Sequence, residues 1–157
     1  MPSGLSQPMI SLSPIVSSPP LVSLQEIWGE VALEYFPHLD HLHQYLVIWS
    51  VRRQKRTLAS VNLNSQRVVV ARELNDPRFV MHLPALLYHE MCHAVISTEV
   101  HIKNGRRQWH GTHFKMLEKR HPGILALEDW IREGGWRYAV ARHRARETHQ
   151  NKQLRVK

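Results

Sequence analysis

The sequence predicts an α+β domain in which a small, mostly antiparallel sheet packs on one central helix and further helices follow toward the C-terminus. Three observations predict it. Apolar residues recur at helical spacing from Ser23 to Tyr35, short β-branched runs fill the block from Tyr45 to Ala71, and helical spacing returns from Leu83 onward. At 157 residues and 43% hydrophobic composition, the chain supports one core that buries roughly two-thirds of its unfolded surface. Five Trp, four Tyr and three Phe are available to anchor that core.

Residues 1–22 are rich in Ser and Pro without periodicity, and read as a disordered tail that does not offset its ordering entropy. Folded structure is expected from Ser23, where Ser23 and Glu26 make a capping-box pattern, Val22 and Ile27 a hydrophobic staple, and Leu24, Ile27, Trp28, Val31 and Tyr35 one apolar face. Pro37 ends this helix. Tyr45 to Val51 reads as a strand, followed by a charged turn with Arg52, Arg53, Lys55 and Arg56. Leu58 to Leu63 and Arg67 to Ala71 read as two more strands joined across Asn64 and Ser65. Asn75, Asp76 and Pro77 mark a turn.

A second helix is expected from Leu83 to Ser97, with Pro84 in its first turn and Leu83, Leu86, Leu87, Met91, Ala94 and Val95 on its apolar face. Beyond a basic stretch around Lys103 to Arg107, a short helix from Thr112 to Arg120 is expected to be capped by Thr112 and stopped near Pro122. Helical segments near Leu125 to Glu133 and Trp136 to Glu147 complete the chain. The domain is placed at residues 23–141 and a basic C-terminal tail at 142–157. No internal repeat is present.

The net charge of +8 is unevenly spread. No Lys or Arg precedes Arg52, so residues 1–51 carry −4 and the remainder +12. Residues 134–157 alone hold Arg137, Arg142, Arg144, Arg146, Lys152, Arg155 and Lys157 against Glu147, with Trp136 and Tyr138 alongside as candidate base-stacking groups. A nucleic-acid contact through this segment is therefore one expectation, set against a solvated helix with a frayed basic end. The single cysteine, Cys92, excludes an internal disulfide framework and a Cys-rich zinc ribbon, and fits a reducing compartment. The apolar stretch near the N-terminus lacks basic residues, is broken by Pro14, Pro19 and Pro20, and is too short to cross a bilayer. A soluble, cytoplasmic protein is expected.

His89, Glu90, Met91, Cys92 and His93 spell His-Glu-x-x-His inside the second helix. Residues four apart lie on one helix face, so both imidazoles can reach one zinc ion, and Glu90 is placed beside the metal as a general base rather than a ligand. Its position in an apolar helix, after a sheet and ahead of more histidines, sets the motif apart from a chance match in a chain with twelve His. A catalytic zinc takes three protein ligands and leaves a position open. Candidates for the third are His101, His110, His113, His121, Glu99 and Glu118. His110 is preferred because Gly111 and Thr112 place it just ahead of a helix start; His101 and His121 read better as surface residues. Cys92, Trp28, Trp49 and Trp130 read as core, and Tyr88 as core ahead of an oxyanion role.

The stretch Leu87 to His93, followed by His110, Gly111, Thr112, His113 and Phe114, resembles the SprT-like zinc metallopeptidases, which include Spartan and the YgjP-like proteins. The similarity covers roughly residues 45–122. It implies a zincin-like minimal metallopeptidase domain with His89, His93 and His110 as zinc ligands, Glu90 as general base, and a protein or peptide substrate. Many members of the family carry Glu where this chain has His113, and the Cys-containing ribbon of some members is absent from these residues. The competing expectations are a zinc-containing nucleic-acid binding module and an inactive protease-like scaffold.

Overall fold

A computed structural model describes Gly4 and residues 22–97, 102–103, 106–107 and 110–156. The first helix, α1 (Leu24–Tyr35), starts as its sequence dictates: the Ser23 hydroxyl accepts from the Glu26 N–H at 3.2 Å. Its buried stripe of Leu24, Trp28, Val31 and Ala32 faces the core, and the Trp28 indole N–H donates to the Leu42 carbonyl at 2.8 Å. That bond satisfies the one polar atom a fully buried tryptophan carries.

Strands β1 (Leu46–Trp49), β2 (Ala59–Asn62) and β3 (Arg67–Val70) form one sheet in the order β1-β3-β2. β3 takes the centre because Val68 and Val70 are fully buried β-branched residues, matched to strand geometry. The β2–β3 pair is antiparallel, as expected, and Asn62 Oδ1 closes its turn by accepting from the N–H groups of Asn64 and Ser65. β1 instead pairs with β3 in parallel, Leu46 against Arg67 through Trp49 against Val70. The three-stranded sheet is thus mixed; the short antiparallel pair β4 (Ile102–Lys103) and β5 (Arg106–Arg107) stands apart from it. A side chain joins the edge strand to α1: Gln25 donates to the Tyr45 carbonyl at 2.9 Å and accepts from the Val47 N–H at 3.0 Å.

Helix α2 (Leu83–Ile96) runs through the middle of the domain, against α1, the sheet and the helices that follow. Nine of its residues are buried, more than one face can hold. Helices α3 (Thr112–Glu118), α4 (Ile124–Arg132) and α5 (Gly135–Arg155) complete the fold. Thr112 is not the cap that its position suggested: it is the first helical residue, and Gly111 occupies the N-cap.

The last helix is longer than the sequence pattern predicts. It continues past Glu147 to Arg155 through Gln150, Lys152, Gln153 and Leu154, with no Gly or Pro to stop it. Its anchorage explains where the packing ends. Trp136 donates to the Lys55 carbonyl at 3.1 Å, Arg142 and Arg146 reach buried Asp76 at 2.8 and 3.3 Å, and Glu147 meets Arg53 and Arg72 at 2.6 and 3.0 Å. Residues 148–156 lie exposed beyond these contacts. No described helix is long and apolar enough to cross a membrane.

Candidate metal centre

His89 and His93 stand one turn apart on the face of α2 that meets α3, and His110 sits just ahead of the α3 N-terminus. His110 Nε2 lies 3.0 Å from His93 Nε2. Ligand atoms of all three imidazoles fall within 4.8 Å of one another, the only such group of His, Cys, Asp or Glu among the described residues. Two nitrogens bound to one tetrahedral ion at roughly 2.0–2.1 Å each sit about 3.4 Å apart, so small side-chain rotations bring this set onto one cation. Three neutral nitrogens make a donor set suited to zinc.

The electrostatics favour free lone pairs at two of the three rings. Desolvation, with the neighbouring His89 and His110, pushes the His93 pKa down to about 4. Desolvation also lowers that of His110. At His89, desolvation acts in the same direction but is outweighed by the Glu118 hydrogen bond and the charges of Glu90, Glu118 and Glu128, so its pKa is raised. Glu118 is lowered in turn, first by that same hydrogen bond. Glu90 is 5% exposed, and burial pushes its pKa up to about 7 against the pull of His89.

A residue without an assigned role in the sequence closes the site from below. Phe114 is buried with ring centroids 4.5 Å from His93, 4.8 Å from His110 and 5.2 Å from His89. Glu118, weighed above as a ligand, instead hydrogen-bonds His89 Nδ1 through its Oε2. Phe114 and Glu118 are four apart on α3, a spacing that puts both on the face toward α2.

The remaining candidates fall elsewhere. Glu99 and His101 lie outside the described residues. His113 is exposed on α3 and is not in the imidazole cluster. His121, expected at the surface, is half-buried against Tyr35 and Tyr88, each at 5.2 Å, and its Nδ1 accepts from the Gly123 N–H at 3.0 Å. Tyr88 is fully buried and its hydroxyl donates to the Leu117 carbonyl at 2.5 Å, so the ring packs and the hydroxyl is committed away from the histidines. Cys92 is buried, with desolvation pushing its thiol up to about 12, which makes it inert. Of the aromatic pair near the basic segment, Tyr138 is 51% exposed while Trp136 is buried.

Comparison with known proteins adds three findings. No curated protein matches the chain. Among solved structures it is similar to the crystal structure of the metallopeptidase zymogen of Pyrococcus abyssi abylysin, at 18% identity and a TM-score of 0.47, over 69% of this chain and 91% of that one. The model of the SprT-like family matches residues 24–125, from the first residue of α1 into the start of α4 and across the whole imidazole cluster. With 102 of 157 residues inside that match, the chain belongs to the SprT-like family.

Proposed function

We propose that the protein is a zinc-dependent metallopeptidase that hydrolyses peptide bonds in protein or peptide substrates. The observation that carries this reading is the convergence of His89, His93 and His110 from two separate segments onto a space of one ion, with a buried carboxylate next in sequence to the first of them. In this reading the three imidazoles hold the metal. When bound, zinc supplies Lewis acidity that lowers the pKa of water toward neutrality and polarises the scissile carbonyl. Glu90 accepts a proton from the attacking water on its carboxylate and returns it to the leaving amine. Phe114 packs the imidazoles from one side and restricts their rotation.

The test separates metal binding from turnover. Glu90→Gln is expected to bind one zinc per chain with near-normal affinity and to lose about 100-fold or more of its peptidase rate on an unstructured protein such as casein. Undiminished proteolysis in Glu90→Gln, with the metal-stripped protein inactive, would take the proton-transfer role away from Glu90. An inactive scaffold predicts zinc binding with no hydrolysis in the wild type.

A cytoplasmic setting is part of the same proposal, supported by the single, buried cysteine. Nucleic-acid binding by the C-terminal segment rests on its charge. Because Arg142 and Arg146 are tied to Asp76, the truncation that tests it begins after Glu147, and steeply salt-dependent DNA or RNA binding lost on that truncation would support it.

A further inference from the structure

Adjacent residues of α2 grip adjacent residues of α3. The Tyr88 hydroxyl donates to the Leu117 carbonyl at 2.5 Å, and one residue along, His89 Nδ1 meets the Glu118 carboxylate. The first contact fixes the height of the last turn of α3 against α2, and the second fixes a ring. Glu118 is well shielded, with 13% of its side chain exposed against 29% for His89. A carboxylate hydrogen bond inside such a boundary is less screened than one in water.

We infer that Glu118 is a positioning residue for the metal centre: it holds His89 in the Nδ1–H form with its ring turned, so that Nε2 is the nitrogen offered to the cation. This deepens the metal-binding reading above and rests on it. The chemistry follows from the donor inventory. An ionised carboxylate only accepts, so the proton of the shared bond resides on Nδ1, and the lone pair of the neutral ring is then on Nε2. A neutral imidazole left in water prefers the opposite form, with its proton on Nε2. Without Glu118, part of the His89 population would therefore present the wrong nitrogen, and the ring would be freer to turn about χ2. A carboxylate partner also raises the basicity of the coordinating nitrogen.

Placement explains why Glu118 is a partner rather than a fourth donor. Its Oε2 is engaged by Nδ1, the nitrogen a ligating His89 turns away from the metal, and Glu118 is not among the side chains whose ligand atoms converge. α3 thereby performs two tasks with one face, Phe114 packing the rings and Glu118 orienting one of them, while its entry residue His110 supplies a ligand.

The experiment uses the full chain as wild type, Glu118→Ala, Glu118→Gln and His110→Ala. Zinc affinity is measured by competition with a chromophoric chelator, and the His89 tautomer by imidazole 15N shifts of the zinc-free protein at mildly alkaline pH. Glu118→Ala is expected to bind one zinc with an affinity weakened about 10- to 100-fold, and to shift His89 toward the Nε2–H form. Glu118→Gln keeps a carbonyl oxygen facing Nδ1–H, so it should hold the wild-type tautomer and recover much of the affinity. That rescue separates orientation from bulk packing, and its near-isosteric side chain carries the test if the alanine variant does not fold. Wild-type zinc affinity in Glu118→Ala, or an unchanged tautomer, would overturn the inference while leaving the three-imidazole reading intact. So would cobalt(II)-loaded Glu118→Gln showing the same altered visible spectrum as His110→Ala, which would make Glu118 a ligand. A wild type that binds no zinc would overturn both.

Discussion

The rings of Phe114 and His93 lie with centroids 4.5 Å apart and planes inclined at 36°, the closest approach that Phe114 makes to any of the three clustered imidazoles. The phenyl ring has no polar atom to offer a metal or a substrate, so its contribution is to exclude space. Phe114→Ala is expected to destabilise the fold by about 3–4 kcal/mol through the cavity it leaves, and to weaken zinc binding because the rings lose a packing wall. Phe114→Leu, which keeps most of the volume, is expected to cost about 1 kcal/mol. Urea unfolding of the metal-free proteins and zinc competition on the same samples check both. Full zinc affinity in a destabilised Phe114→Ala would show that the imidazoles hold their positions without it.

What could be read from the sequence is what is local in it. The Ser23 cap, the buried stripe of α1 and the His-Glu-x-x-His turn of α2 depend on spacings of three and four residues, and each is where spacing places it. The parallel pairing of β1 with β3 is a different matter, since it depends on which of two strands takes the centre, and Val68 and Val70 decide that only through burial. His121 shows the same limit. Nothing next to it in sequence announces the Tyr35 and Tyr88 rings that cover it. Glu118 was visible as a carboxylate at a plausible distance from the motif, but whether it meets the metal or the far nitrogen of His89 is a question of ångströms, not of spacing.

The two histidines nearest the α3 start are expected to behave differently. His110 belongs to the cluster and His113 does not. Zinc at about a hundredfold above its Kd should stabilise the wild type by about 2.7 kcal/mol, raising Tm by roughly 5–10 °C for a domain of this size. His113→Ala should retain that shift and His110→Ala should lose most of it, with chelator returning all three proteins to their metal-free Tm. A thermal melt with and without zinc, and metal content after dialysis, decide the matter.

Asp76 ties the turn ahead of α2 to the last helix, and this gives stability a dependence on acid. The carboxyl is 1% exposed. Burial alone would raise its pKa, but the Arg78 N–H, the Arg142 hydrogen bond and the charges of Arg146 and Arg142 together hold it below its ordinary 3.8. A carboxyl with a depressed folded-state pKa contributes stability that is present above the unfolded-state value and is lost as pH falls through the folded one. Stability should therefore decline from about pH 4–5 downward. Asp76→Asn should be less stable at neutral pH, by less than the roughly 3–5 kcal/mol of a fully buried pair because both guanidinium groups reach solvent, and its acid decline should be shallower. Urea midpoints of both proteins across pH 3 to 7 test this; parallel curves would remove Asp76 from the account.

The α4–α5 corner makes the strictest demand on two neighbouring residues, for two different reasons. Gly134 has φ +89°, in the left-handed region, where it ends α4 with its N–H donating to the Ile131 carbonyl at 3.1 Å. Space around it is open, so Gly134→Ala pays only the backbone term, about 1–2 kcal/mol. Gly135 has an ordinary backbone but no room: a Cβ there would fall well inside contact distance of the Trp130 indole. That ring cannot swing aside freely, being packed 5.7 Å from Phe79 and 4.7 Å from His82. Gly135→Ala is expected to cost about 2 kcal/mol, overpacking exceeding the gain in helix propensity. The two mechanisms part in combination with Trp130→Leu. Removing the indole should relieve most of the Gly135→Ala penalty, giving a strongly non-additive double mutant, while the Gly134→Ala penalty should add to that of Trp130→Leu nearly in full. Urea unfolding of the three single and two double variants measures the coupling. Additivity at Gly135 would show that the helix shifts to admit the methyl group.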